Sequence, residues 1–167
     1  RTLSAWRGFY RWLGWEGRVS ANPTEGIRAP KSPKALPKVL SPDEAGRLLD
    51  SSSDEILEVR DQAMFELLYS SGLRLAELAQ LDIASLDEIR EGELRVLGKR
   101  NKERFVPVGS QARAALSVWA QCRGQLAKAE ETALFVGARG LRISPRVIEA
   151  RLQRRALAQG LPVSVHP

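Results

Sequence analysis

The sequence predicts a mainly α fold with one small antiparallel β-sheet, an α+β class whose strands form a hairpin. Two serine-proline helix starts, "SPDE" at 41–44 and "SPRV" at 144–147, each open a run with apolar residues at helical spacing. A third run, 55–70, is rich in apolar residues and is followed by Gly72, suited to stop a helix. The stretch "GELRVLGKRNKERFVPVG", 92–109, instead alternates apolar and polar residues on both sides of a charged turn, which is the pattern of paired strands.

Taken in order, "RTLSAWRGFYRWLGWEG" sets Leu3, Trp6, Tyr10 and Leu13 on one helical face and Arg1, Arg7 and Arg11 on another. A lone amphipathic helix cannot bury its own stripe, so residues 1–21 are expected to be the last helix of a domain whose earlier part is missing. On that reading Trp6, Trp12 and Trp15 belong to a core, as does Trp119, and Tyr10 and Tyr69 lie on apolar helix faces. Residues 22–40 hold Pro23, Pro30, Pro33 and Pro37 interleaved with Lys31, Lys34 and Lys38, an extended basic linker. Its lysines are either simply solvated or set along a phosphate backbone.

A second domain, 41–167, begins at the Ser41 cap, with Pro42 at the first helical position and Asp43 and Glu44 in the first turn. A helix through about Asp50 is followed by a largely buried one from Glu55 to Ser70, then by a short helix at Arg74. The hairpin of 92–109 comes next, then a helix from Ser110 to about Gly124 that turns Ala115, Leu116 and Trp119 inward. "ALFVG", 133–137, reads as a third strand, and "SPRVIEARLQRRALAQG" as a last helix studded with Arg146, Arg151, Arg154 and Arg155.

Twenty-six Lys and Arg against 20 Asp and Glu leave a net charge of +6, which favours a polyanionic partner, although other basic proteins share it. One cysteine, Cys122, and one histidine, His166, exclude an internal disulfide and leave no zinc site, in keeping with a reducing cytoplasm. No apolar run approaches the ~18 residues that cross a bilayer, and no signal peptide is recognisable. There is no phosphate-binding P-loop and no pair of catalytic carboxylates.

Arg74, after Gly72-Leu73, can close a helix end, pair with Glu77 one turn along, or bind an anion. Lys99, Arg100 and Lys102 can be an ordinary solvated turn or a set of cations aimed at a ligand. The segment "LLYSSGLRLAELAQLDIASLD" followed by "GKRNKERFVPVG" resembles the tyrosine recombinase, or phage integrase, family, where a G-L-R-x-x-E-L segment and a G-K-x-N-K-E-R hairpin recur at this separation. "ANPTEGIRAPKSPKALPKVLS" is similar to the interdomain linker of the family's XerC subgroup, and "RISPRVIEARLQRRALAQGL" and "VHP" resemble the segments C-terminal to the hairpin there.

This resemblance implies a recombinase catalytic-domain fold, truncated, preceded by the end of an all-α core-binding domain. It implies a DNA-cutting and rejoining reaction through a 3′-phosphotyrosyl intermediate, with no metal or nucleotide cofactor. Arg74 matches the family's first catalytic arginine and Lys99 its hairpin lysine, the general acid for the departing 5′-oxygen; Glu77 would orient Arg74 from a partly buried helix start. Arg100 departs from the pattern, which has glycine there. Lys31, Lys34, Lys38, Arg100, Lys102, Arg142, Arg146 and Arg151 are the expected DNA contacts, with Arg155 ranked below Arg146.

The family's H-x-x-R-H motif and tyrosine nucleophile would lie beyond His166-Pro167, and Tyr10 and Tyr69 are poor substitutes, so this chain alone is expected to be inactive. The implied partners are a double-stranded recombination site, a XerD-like second recombinase in a heterotetramer and a septal DNA translocase, in chromosome dimer resolution. A mobile-element integrase, a non-catalytic DNA-binding relative and a basic helical protein unrelated to DNA are the competing readings.

Overall fold

The computed structural model describes residues 2–28, 41–49, 55–98 and 102–161. The chain divides into two compact units, 1–36 and 37–167.

In the first unit, α1 (Thr2–Trp15) is followed by turns. Gly17, at φ 67°, lets the chain reverse after the helix, and Arg18 N–H bonds the Leu13 carbonyl at 2.9 Å. Asn22 makes an Asx turn, accepting from the Thr24 N–H at 3.0 Å and its hydroxyl at 2.7 Å. Trp6, Trp12 and Trp15 are 50, 48 and 80% exposed, because one helix supplies only its own neighbours as cover.

The second unit runs α2 (Pro42–Leu49), α3 (Ile56–Ser71), α4 (Leu75–Gln80), α5 (Ser85–Glu91), β1 (Glu93–Leu97), β2 (Glu103–Pro107), α6 (Ser110–Cys122) and α7 (Pro145–Ala158). Local chemistry sets most of these ends. Ser41 and Glu44 form a reciprocal capping box at α2, with the Glu44 N–H donating to Ser41 Oγ and the Ser41 N–H to Glu44 Oε2. Gly72 ends α3 in the left-handed conformation at φ 58°. Ser144 Oγ caps α7 ahead of Pro145. Helix α5, which the sequence did not announce, is a short turn of chain after Asp82 closed by Gly92 at φ 95°.

Helix α3 lies at the centre of the core. Ala63, Met64, Phe65, Leu67 and Leu68 are all buried, so apolar contact surrounds it rather than touching one stripe. Helix α6 packs on it through Ala112, Leu116 and Trp119. Tyr69, expected on an apolar face, is 63% exposed.

The two strands pair antiparallel with Leu94 opposite Val106 and Val96 opposite Arg104. Leu94, Val96 and Val106 are buried, so this register places Arg104 on the inward face of the hairpin. Gly98 N–H closes the hairpin on the Lys102 carbonyl at 2.7 Å.

The third strand is replaced by isolated bridges, Asp82 to Ala133 and Val136 to Arg142. Residues 133–136 are buried, and side chains take carbonyls that a sheet would have used. Arg123 Nε donates to Ala133 at 2.9 Å, Trp119 Nε1 to Leu134 at 2.9 Å, and Arg60 Nη1 to Val136 at 3.0 Å. A Trp119→Phe change should therefore cost about 1–3 kcal/mol through the lost indole donor and volume, read as a shift in the urea midpoint.

Candidate functional site

Arg74 is the residue just before α4, with extended backbone at φ −75° and ψ 150°. Its backbone N–H donates to Glu77 Oε2 at 2.8 Å, the acidic half of a capping box; a guanidinium has no acceptor to supply the other half. The side chain is 63% exposed rather than partly buried, because a residue preceding the first turn projects outward from the helix end. One nitrogen, Nη1, donates to Glu77 Oε1 at 2.9 Å. Among the described residues the other Arg74 guanidinium donors have no partner, so they face outward, available to an anion.

Glu77 is held from a second side by Arg104, whose Nη1 and Nη2 meet Oε1 and Oε2 at 2.8 Å each in a bidentate fork. The Arg104 hydrogen bond is the main influence on the Glu77 carboxyl; burial opposes it, the Arg74 backbone and side-chain bonds assist it, and the pKa falls from 4.5 to about 2. A depressed carboxylate contributes stability that is complete above its ordinary value and fades as pH falls through the folded one. The destabilisation of Glu77→Gln, measured by urea unfolding, should accordingly be full at about pH 6 and shrink steadily as pH drops towards 2. Two guanidiniums on one carboxylate leave a single excess positive charge, and it is Arg74 that carries it into solvent.

Arg104 escaped the sequence reading. The signal was present in strand parity: two residues before buried Val106, an arginine on the inward face needs an anionic partner. The partner, 27 residues away at Glu77, is not legible from the strand itself.

The expected DNA contacts divide by geometry. Arg146 is exposed at the start of α7, and Lys102 is exposed at the foot of β2. Arg142 is committed elsewhere: Nη1 donates to the carbonyls of Ala79 at 3.0 Å and Leu81 at 3.2 Å, and Nη2 pairs with Asp82, closing the C-terminal end of α4. Arg151, 18% exposed, pairs with Asp61 and Glu58, which replaces the groove contact expected of it. Arg155 is buried, donating to Glu58 at 2.8 Å and Gln62 at 2.7 Å with its guanidinium 4.9 Å over the Phe65 ring. Burial pushes the Glu58 carboxyl up, but the Arg155 hydrogen bond and the charges of Arg151 and Arg155 outweigh it, leaving the group below its usual range. Lys31, Lys34, Lys38, Lys99 and Arg100 lie outside the described residues. Among the described residues no helix is long and apolar enough to cross a membrane.

Comparison with known proteins agrees with the motifs around this site. Residues 38–167 match the family described as Phage integrase family. The whole chain is 48% identical to tyrosine recombinase XerC 1 of Ralstonia nicotianae, covering 56% of it. It is likewise 48% identical, over 99% of its length, to tyrosine recombinase XerC of Shewanella amazonensis, covering 55% of that protein. The chain thus spans about half the length of the curated relatives it matches. The fold is that of the XerA recombinase crystal structure (TM-score 0.68, 24% identity, 97% of this chain and 62% of that one). It also superposes on a lambda integrase dimer bound to a COC′ core site (TM-score 0.71, 20% identity, 96% and 57%). Sequence and fold comparisons converge: the chain belongs to the phage integrase family of tyrosine recombinases, and its relatives include XerC proteins.

Proposed function

We propose that this chain supplies the phosphate-gripping part of a XerC-type site-specific recombinase that cuts and rejoins double-stranded DNA. The observation that carries the reading is the exposed Arg74 guanidinium, oriented by Glu77 through both its backbone and its side chain while keeping donors free of protein partners among the described residues. A fixed planar fork of this kind suits the non-bridging oxygens of a phosphodiester, on which negative charge grows during phosphoryl transfer.

In the proposed reaction a tyrosine oxygen attacks phosphorus and the bond from phosphorus to the 5′-oxygen breaks, leaving a 3′-phosphotyrosyl ester. Lys99 gives its proton to the departing 5′-oxygen, which leaves as a hydroxyl. Religation reverses both steps, so neither metal nor nucleotide is consumed. Lys31, Lys34, Lys38, Arg100, Lys102 and Arg146 contact the DNA backbone or groove around that phosphate. The 167-residue chain alone forms no ester, because neither Tyr10 nor Tyr69 belongs to a matching nucleophile motif. In its biological setting the enzyme works in the cytoplasm with a XerD-like recombinase and a septal DNA translocase to resolve chromosome dimers. The identity to XerC proteins across the whole chain supports that role over a mobile-element integrase.

The test is covalent capture. The intact protein is incubated with sheared genomic DNA of its own cell, denatured in detergent, and the DNA that stays attached is sequenced. Recovery of one recurrent site, joined through a 3′ phosphate with a free 5′-hydroxyl, is the expected result. Salt-dependent DNA binding without any covalent product would instead make the protein a non-catalytic DNA-binding relative.

A further inference from the structure

We propose that Arg104 is a positioning residue that ties the Arg74-bearing start of α4 to strand β2, holding Glu77 so that the Arg74 guanidinium is presented to a phosphate in a fixed direction. This rests on the phosphate-binding reading of Arg74. Three observations converge on Arg104. Its register opposite Val96 turns it to the inward face of the hairpin. Its guanidinium takes both oxygens of Glu77 at 2.8 Å, and Glu77 in turn holds the Arg74 backbone and side chain. The same guanidinium runs beneath Gly98, the residue before Lys99: a Cβ built on Gly98 would lie 3.5 Å from Arg104 Nη1 and 3.2 Å from the Lys102 carbonyl.

Gly98 does not have a positive φ, so backbone conformation does not demand glycine there; lack of space does. The crowding comes from the Lys102 carbonyl at 3.2 Å, while Arg104 Nη1 at 3.5 Å would be in ordinary contact with such a Cβ. A single side chain thereby links strand β2 to the carboxylate that aims Arg74. Without Arg104, Glu77 would keep only Arg74 as a partner, held by its backbone N–H and by one nitrogen of a side chain that is 63% exposed. Such a loosened Glu77 no longer fixes the direction of the Arg74 fork. In this proposal Arg104, which gives one N–H from each terminal nitrogen to Glu77, acts on the carboxylate and not on the phosphate.

The test is a double-mutant cycle on the full chain, reading affinity for a generic 30-base-pair duplex by fluorescence anisotropy across a salt series, with circular dichroism confirming the fold of each variant. Arg74→Ala should weaken binding and lower the salt slope by about 1, as one phosphate contact is lost. Arg104→Gln should lower it similarly although it removes no phosphate ligand, and Arg74→Ala added to Arg104→Gln should change nothing further. Arg104→Lys, which can pair with one Glu77 oxygen at a time, should restore part of the loss. Should Arg104→Gln fail to fold, the same cycle run on Arg104→Lys decides, with partial non-additivity expected. Additive losses would make Arg104 an independent phosphate contact and overturn the proposal, as would an Arg104→Gln variant that binds like the wild type while Arg74→Ala does not. A silent Arg74→Ala would instead overturn the phosphate reading on which the proposal stands.

Discussion

Arg74→Ala in the intact recombinase is expected to lower the rate of covalent DNA cleavage by roughly 10²–10³-fold, the loss typical of removing one preorganised donor to a developing charge. The same change should leave the fold almost untouched. The side chain is 63% exposed, and Glu77 retains its bidentate bonds to Arg104, so the stability change should stay within about 0.5 kcal/mol. Arg74→Lys should rescue little, because an ammonium provides a point charge where a planar fork is needed. The measurement is single-turnover cleavage of the captured site alongside a urea titration. A rate within a few-fold of the wild type would remove Arg74 from the reaction, and a large shift in unfolding midpoint would make it a structural residue instead.

Asp61→Asn should destabilise the fold by about 3–5 kcal/mol, more than the loss of any surface charge. Asp61 is 1% exposed on α3 and accepts from Arg60, itself 2% exposed, and from Arg151 on α7. Neutralising it leaves two guanidiniums in the interior with a single carboxylate nearby, Glu58, already shared between Arg151 and Arg155. Helix α7 would keep only Glu58 and Gln62 as polar anchors on α3. The control is Asp87→Asn, whose pair with Arg90 has side chains 82 and 71% exposed and should matter by less than about 1 kcal/mol. Equilibrium unfolding of the two variants distinguishes the cases, and equal midpoints would mean that the interior charges are neutralised or hydrated by some other route.

These two residues also mark how far the sequence could be read. Arg74 stood out because it lies in a rare local string with Glu77 three positions on, and the contact between them spans less than one turn. Asp61 did not stand out, because Arg60 and Asp61 look like a polar interruption within an apolar helix until their distant partners are known. The arginines of α7 could be ranked on paper only weakly, Arg146 above Arg155 for its place beside the Ser-Pro cap, since Arg146, Arg151 and Arg155 share one helix and one residue type. In the fold Arg146 is exposed, while Arg151 and Arg155 are drawn inward by acceptors 90 or more positions earlier in the chain.

What the sequence determined by itself is the part that short-range chemistry controls. Serine caps and Pro42 and Pro145 began α2 and α7, Gly72 stopped α3, and alternation about a charged turn made the β1-β2 hairpin, because each signal acts within a few residues. Only the tertiary structure decided which group each polar side chain meets across the chain. The buried run 133–136 had the composition of a strand, yet its carbonyls were taken by Arg60, Trp119 and Arg123, so no third strand formed among the described residues. Arg104 became the support of Glu77, and Arg142 the closure of α4, for the same reason. A buried or half-buried charge takes the nearest acceptor in space, and that acceptor is chosen by packing rather than by sequence neighbours.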